Sequence, residues 1–244
     1  ADITRNNTEF KVMLWANRNG FYYVLDRRTG RFLTGIPYVN LNWAEGLDDS
    51  GRPVETPQPP SEPTYPGLIG ATNWYSPSYS PRTELIYIPA WEDYASVFAG
   101  VPQEYVPGES FTGRTPEGFP RTYAAVPDAP SLPLITRGPV NDWTDVSGTG
   151  AVLALDALTG EQKWKLGLHD VITSGILTTA SDLLFTGLRS GYFQALDART
   201  GDALWRASLG GQISSGPTTY EVDGKQYVAI IAGNSLSTFA LGVR

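Results

Sequence analysis

Ala154-Leu155-Asp156-Ala157-Leu158-Thr159-Gly160-Glu161-Gln162-Lys163-Trp164 returns 41 residues later as Ala195-Leu196-Asp197-Ala198-Arg199-Thr200-Gly201-Asp202-Ala203-Leu204-Trp205, with seven of eleven positions identical. A fixed period of about 40–45 residues marks a repeat architecture and suits the four-stranded blades of a β-propeller. Alternating apolar residues make a strand, Asp-x-x-Thr-Gly makes a tight turn, and the next strand delivers a Trp. The indole packs against a neighbouring blade with its N–H satisfied by backbone. Trp164 and Trp205 are therefore read as structural, and Asp156 and Asp197 as turn formers.

An earlier copy is Tyr23-Val24-Leu25-Asp26-Arg27-Arg28-Thr29-Gly30, with Thr34 where the Trp would fall. Upstream, Arg18-Asn19-Gly20 lies over Arg189-Ser190-Gly191. The unit is thus strand, Gly turn, strand, Asp-Thr-Gly turn, strand. Residues 1–34 read as part of one blade. Residues 35–72 are Pro-rich and read as a long loop, and a strand is predicted over Leu85-Ile86-Tyr87-Ile88 after the turn Pro81-Arg82-Thr83-Glu84. Residues 91–148 form a second long irregular stretch. Residues 149–210 hold the two clear repeats, and Val222-Asp223-Gly224-Lys225 is an Asp-Gly hairpin turn leading into Gln226–Ile231.

The composition agrees with an all-β chain. There are 26 Gly and 19 Pro in 244 residues, with 12% aromatics, the signature of many turns. The net charge of −7 argues against nucleic acid and anionic lipid as partners. No run approaches the roughly 20 apolar residues of a membrane span. Absence of cysteine removes disulfides, thiolate metal sites and Cys nucleophiles. The single histidine, His169, rules out a His cluster, no carboxylate pair has metal-ligand spacing, and Asp48-Asp49 before Ser50-Gly51 reads as a solvated turn. A chain that starts at Ala1 without Met is expected to be trimmed, which would hide any export signal.

The period and the loops leave material for about four blades in one domain over 1–244. Four blades of a larger ring would leave raw sheet edges, which propellers avoid by closing. The chain is accordingly read as about half of a larger ring, opening inside a blade. A four-bladed ring complete in itself is the less favoured architecture.

The repeat Ala-x-Asp-x-x-Thr-Gly-x-x-x-Trp resembles the tryptophan-docking repeat of the pyrroloquinoline quinone (PQQ) dependent alcohol dehydrogenases. Three further stretches are similar to that family and stand in its order. They are Asn17-Arg18-Asn19-Gly20-Phe21-Tyr22-Tyr23-Val24-Leu25-Asp26-Arg27, Asn42-Trp43-Ala44-Glu45-Gly46-Leu47-Asp48 with Gly51-Arg52-Pro53, and Gly70-Ala71-Thr72-Asn73-Trp74 with Ser78-Tyr79-Ser80-Pro81. The resemblance implies the C-terminal half of an eight-bladed propeller, with PQQ near the axis beside a calcium or lanthanide ion. A small primary or secondary alcohol gives a hydride to the quinone while an aspartate takes its proton. That aspartate and the metal ligands are implied to lie upstream of Ala1, so the expected partner is a second chain carrying the N-terminal half. A separate cytochrome c-type electron acceptor and a periplasmic location are also implied, since no haem-binding Cys-x-x-Cys-His follows the repeats.

The resemblance assigns cofactor-binding roles to Arg18, Asn73, Trp74 and Asn234. Arg18 is implied to place its guanidinium on the quinone oxygens, and Asn73 an amide on a quinone carbonyl. Trp74 is implied to line the cofactor chamber, with core packing as its other reading, and Asn234 is implied to contact the cofactor through backbone. No catalytic residue and no metal ligand is assigned within this chain. Thr173 stands where relatives often carry a cofactor-contacting Trp, and Asn234 sits where they are Gly- and Trp-rich. Arg189 holds the repeat position of Arg18, with no comparable role expected. The rival reading is a non-catalytic propeller scaffold of the outer-membrane assembly type. It shares the Trp repeat but leaves the Arg18 and Asn73 stretches without a purpose.

Overall fold

The computed structural model describes residues 1–57, 63–97, 104–109, 122–123, 132–133 and 148–240. Most of the second irregular stretch, and the tail after Ala240, lie outside the described residues.

The first sheet is a meander of β1 (Asp2–Arg5), β2 (Thr8–Ala16), β3 (Phe21–Asp26) and β4 (Phe32–Pro37). The fractional blade read from residues 1–34 is therefore a full four-stranded one. The sequence does not mark the short first strand, because its hairpin uses Asn6-Asn7, both left-handed at φ 51° and 60°, rather than Gly. Asn tolerates that region and makes the same tight turn.

The stretch 35–72, read as loop, contains the hairpin β5 (Ala44–Leu47) and β6 (Pro53–Glu55), then β7 (Pro63–Thr64). β8 (Ser78–Ser80) and β9 (Leu85–Glu92) follow. β9 runs four residues past Ile88, through Pro89. Proline is tolerated because β8 pairs only with Leu85 to Tyr87, which leaves the edge beside Pro89 without a ladder that needs its N–H. The strand continues because Trp91 N donates to Ala71 O (2.7 Å). β10 (Ser96–Val97), β11 (Thr122–Tyr123) and β12 (Leu132–Pro133) form a small sheet with β7. The two long stretches that look independent in sequence are thus joined, through Ser96 opposite Thr64.

The second large sheet is completed by β13 (Thr149–Asp156) and β14 (Gln162–Leu168), in the order β8, β9, β13, β14. The third is β15 (Ile176–Thr178), β16 (Leu183–Gly187), β17 (Tyr192–Asp197) and β18 (Ala203–Ser208). The last is β19 (Thr218–Val222), β20 (Lys225–Ala232) and β21 (Ser235–Ala240), with three strands among the described residues. Its Asp223-Gly224 turn is left-handed at both positions, φ 50° and 75°, as a two-residue hairpin requires.

The large sheets stack face to face. Val12, Tyr22 and Val24 of the first pack on Ile86, Ile88, Leu153 and Leu155 of the second. The opposite faces of β9 and β13, with Tyr87, Trp91, Val152 and Ala154, pack on Ile176, Leu184 and Leu196 of the third. Phe193 then meets Ile213, in the connection after β18, and Val228 and Ile230 of the last. Strands buried on both faces lose the polar alternation of a half-exposed sheet, which is why β9 and β13 read as continuous apolar runs. The architecture is an all-β propeller segment of stacked four-stranded blades.

The repeat turn is explained atom by atom. The Asp carboxylate caps the turn from within, accepting from Arg28 N (2.8 Å), Leu158 N (3.0 Å) and Arg199 N (2.8 Å) in the three copies. The Gly N–H closes it onto the Asp carbonyl at 2.8 Å each time, with φ of 75°, 76° and 79° at Gly30, Gly160 and Gly201. Trp164 Nε1 donates to Ala198 O of the next blade (3.0 Å), and its ring covers Gly201, where a Cβ would come within 2.8 Å. The first blade lacks the Trp and does the same job otherwise. Tyr22 Oη donates to Ala157 O (2.8 Å), the residue one repeat before Ala198, while Ile36 and Tyr22 cover Gly160. Trp205 is 40% exposed and packs edge-on against Phe239 at 5.0 Å.

Candidate functional site

The β2–β3 turn carries Arg18, the β16–β17 turn Arg189 and the β20–β21 turn Asn234. The β2–β3 turn is rigidly built. Asn17 Oδ1 accepts from Asn19 N (3.0 Å), Asn19 Oδ1 from Phe21 N (3.0 Å), and Gly20 sits at φ 96°. Tyr38 Oη donates to Asn17 O (2.8 Å), and burial pushes that phenol far up, so it stays a neutral donor.

Arg18 emerges from this turn with its side chain exposed. Its Nε donates to Ile69 O (3.2 Å) and its Nη2 to Leu68 O (2.6 Å). Ala71 N returns a bond to Arg18 O (2.9 Å). Gly70, at φ 88°, lies so close that a Cβ would fall 2.7 Å from Arg18 Cβ; only glycine fits. Asn73 Nδ2 donates to the same Ile69 O (2.9 Å), and Asn73 Oδ1 accepts from Trp74 N (2.9 Å). Trp74 is 66% exposed, its ring 5.0 Å from that of Tyr75. Tyr75 is buried and stacked on Trp91. Burial raises its phenol to about 12, against the opposing positive charges of Arg189 and Arg18. Beside Arg18 opens a cleft of about 450 Å³ walled by Asn19, Trp43, Pro66, Leu68 and Gly70.

The structure thus joins Arg18 and Asn73 through one carbonyl oxygen and sets Trp74 next to them. It leaves Asn234 apart, exposed in its hairpin turn; among the described residues no hydrogen bond or ring contact links it to the other three. Thr173 Oγ1 donates to Ile213 O (3.2 Å), a tie between neighbouring blades. Asp48 caps its own turn, accepting from Ser50 N and Arg52 N.

Arg189 departs from the sequence reading. It is not an idle turn residue: it is 7% exposed and pairs with Asp170 Oδ1 at 3.2 Å. Burial raises the Asp170 carboxyl, and the Arg189 charge opposes that rise. Sequence gives no signal for this, because Asp170 stands outside the repeat motif. The contrast with Arg18 matters. Two arginines occupy one repeat position; one is paired with a half-buried carboxylate, and the other is held by neutral carbonyls with no carboxylate partner among the described residues. An oriented cation with no carboxylate partner among the described residues, beside an amide and an exposed indole, suits a planar anionic group. By contrast, no group of three His, Cys, Asp or Glu side chains gathers to hold a metal among the described residues.

Known proteins similar to this chain bear on its family and fold. A PQQ family profile, described as Glucose/ethanol/alcohol dehydrogenase, beta-propeller domain, matches residues 168–228. The dehydrogenase subunit of the quinone alcohol dehydrogenase of Acetobacter aceti is 36% identical over 236 residues, 91% of this chain and 29% of that protein. The quinoprotein alcohol dehydrogenase PedH of Pseudomonas putida is 33% identical over 240 residues, 92% of this chain and 36% of its own. The crystal structure of the quinohemoprotein alcohol dehydrogenase of Comamonas testosteroni superposes with a TM-score of 0.77 at 29% identity, covering 96% of this chain and 33% of that one. A europium-containing methanol dehydrogenase does so at 0.73, also with 29% identity, over 94% and 38%. The chain spans about a third of the length of these relatives. In sequence and in fold it belongs to the PQQ-dependent, quinoprotein alcohol dehydrogenase family, as a part of its propeller.

Proposed function

We propose that this chain supplies one side of the PQQ pocket of an alcohol dehydrogenase that oxidises a small primary or secondary alcohol to the aldehyde or ketone. The observation that carries the reading is the Arg18–Arg189 contrast: the Arg18 cation is oriented by Leu68 O and Ile69 O and meets no carboxylate among the described residues. When bound, PQQ supplies the hydride acceptor. Arg18 then holds positive charge at the cofactor oxygens, where negative charge grows on reduction, and such preorganised donors are most effective in a dry site. Asn73 uses one amide N–H on Ile69 O and offers the other to a carbonyl. The exposed face of Trp74 provides a flat apolar wall that excludes water. Asn234 contributes backbone at the rim.

The proton acceptor and the ligands of a calcium or lanthanide ion come from the remaining blades of the ring, expected as a second chain bearing the N-terminal half. Two relatives carry cytochrome c in their names, and a cytochrome c-type acceptor in the periplasm suits a quinoprotein without its own haem motif in this stretch. No helix among the described residues is long and apolar enough to cross a membrane. A scaffold propeller accounts for Trp164 but gives no use to the Arg18–Asn73 pair. Absorption spectroscopy of the complete protein as isolated separates the two: a bound quinone chromophore is expected, and a complete ring that neither carries nor takes up PQQ would remove this reading.

A further inference from the structure

The carbonyls that hold Arg18 and Asn73 belong to a turn, residues 67–70, that has little internal support. One bond lies within it, from Gly70 N to Gly67 O (2.8 Å). Its other anchors come from the segment that follows β9. Gly67 N donates to Tyr94 O (2.8 Å), and Leu68 N donates to Ser96 Oγ (2.8 Å). Ser96 is 4% exposed. The approach is closest at Gly67, where a Cβ would stand 2.7 Å from Ser96 Oγ and 2.6 Å from Ala95 C. The half-buried Leu68 N–H has this one acceptor among the described residues and loses it when the hydroxyl is removed. The turn would then shift, and with it the two oxygens that aim the Arg18 guanidinium and the Asn73 amide.

We propose that Ser96 is a positioning residue for the cofactor contacts of Arg18 and Asn73, acting through the Leu68–Ile69 carbonyl pair. The segment after β9 is on this view part of the site's scaffold and not merely the start of an insertion. The inference rests on the PQQ reading of Arg18. A hydroxyl 2.8 Å from one peptide N–H sets where the neighbouring carbonyls point, and a misplacement of about 1 Å at a site of this kind is costly.

The test uses the complete apo-dehydrogenase titrated with PQQ, following the dissociation constant optically alongside Tm. Ser96→Ala is expected to weaken PQQ binding about tenfold, the scale seen when an outer partner of a binding group is removed. In an Arg18→Ala, Asn73→Ala background the same change should cost less than about twofold, because residues acting through one network are not additive. Ser96→Thr, which keeps the hydroxyl, should restore most of the affinity. If Ser96→Ala does not fold, Ser96→Cys, of similar size but a weak acceptor, carries the same comparison. An equal loss in both backgrounds, or a lower Tm with unchanged affinity, overturns the role of Ser96 alone. An Arg18→Ala protein with unchanged PQQ affinity overturns the cofactor reading and this inference together.

Discussion

Arg18 and Asn73 donate to one oxygen, the carbonyl of Ile69, at 3.2 Å and 2.9 Å. One side chain leaves the β2–β3 turn of the first blade and the other precedes β8 of the second, so the shared acceptor locks the register of two blades at the same end. Among the described residues each group has N–H bonds beyond those it gives to Leu68 O and Ile69 O. A carbonyl, unlike a carboxylate, orients the guanidinium without cancelling its charge, which leaves the full field for a ligand.

The two repeat-related arginines are predicted to fail in opposite ways. Arg18→Ala should leave stability within about 0.5 kcal/mol, as for an exposed side chain, and lower kcat of the complete enzyme by about 10²–10³, the cost of an oriented donor. Arg189→Ala strands Asp170 in a mostly buried place and should cost about 3–5 kcal/mol of folding stability. Chemical denaturation beside steady-state kinetics checks both. Equal stability losses would show that Arg18 is a turn residue only.

Trp164 and Trp205 share a repeat position but are predicted to differ in weight. Trp164→Ala removes an interblade hydrogen bond and the cover over Gly201, and should cost about 3 kcal/mol. Trp205 is half-solvated, and its truncation should cost about 1 kcal/mol. Neither change should alter PQQ content. A stable Trp164→Ala protein that has lost its cofactor contradicts the structural assignment.

Tyr22 replaces the missing docking Trp of the first blade. Tyr22→Phe deletes only the hydroxyl that donates to Ala157 O, leaving a buried carbonyl short of a partner. A loss of about 1 kcal/mol is expected, read as a lower urea midpoint with unchanged slope. No change in midpoint would mean that water replaces the hydroxyl freely.

Acid should loosen the repeat turns. Arg28 pulls Asp26 down to about 2. Burial opposes a fall at Asp156, but the bonds from Arg5, Thr159 and Leu158 outweigh it, and the carboxyl sits below its usual value. Arg199 lowers Asp197. Folded values below the unfolded 3.8 mean stability that is fully present above about pH 4 and lost as pH falls through the folded values. Asp156→Asn should therefore lower Tm at pH 6, with the gap to the parent closing toward pH 2. A gap that widens in acid would reverse the sign argued here.

The outer face of the first sheet leaves Met13 and Trp15 exposed, and β21 presents an unpaired edge with Leu236 exposed, among the described residues. Such faces and edges need a partner. Residues 1–244 produced alone are expected to self-associate, and to give a soluble one-to-one complex when co-expressed with the N-terminal half, over an interface above about 2,000 Å². Light scattering distinguishes these outcomes. A well-behaved monomer that reduces dye with PQQ would sink the split of the site between two halves.

Sequence alone determined what is local. The 41-residue period, the Asp-capped Thr-Gly turns and the Asp-Gly hairpin are set by residues within a few positions of each other, so their chemistry is visible in a line of letters. The same holds for the family resemblance, which singled out Arg18, Asn73 and Trp74 by their neighbours in the chain. Tertiary structure decided what depends on distant residues. Tyr22 stands in for an absent Trp because its hydroxyl reaches Ala157, 135 residues away. The two loop-like stretches meet because Ser96 pairs with Thr64 and accepts from Leu68. And Arg18 differs from Arg189 only because Asp170 lies beside one of them. Turn chemistry acts over a few bonds, whereas neutralising a charge or anchoring a carbonyl depends on what the folded chain brings alongside.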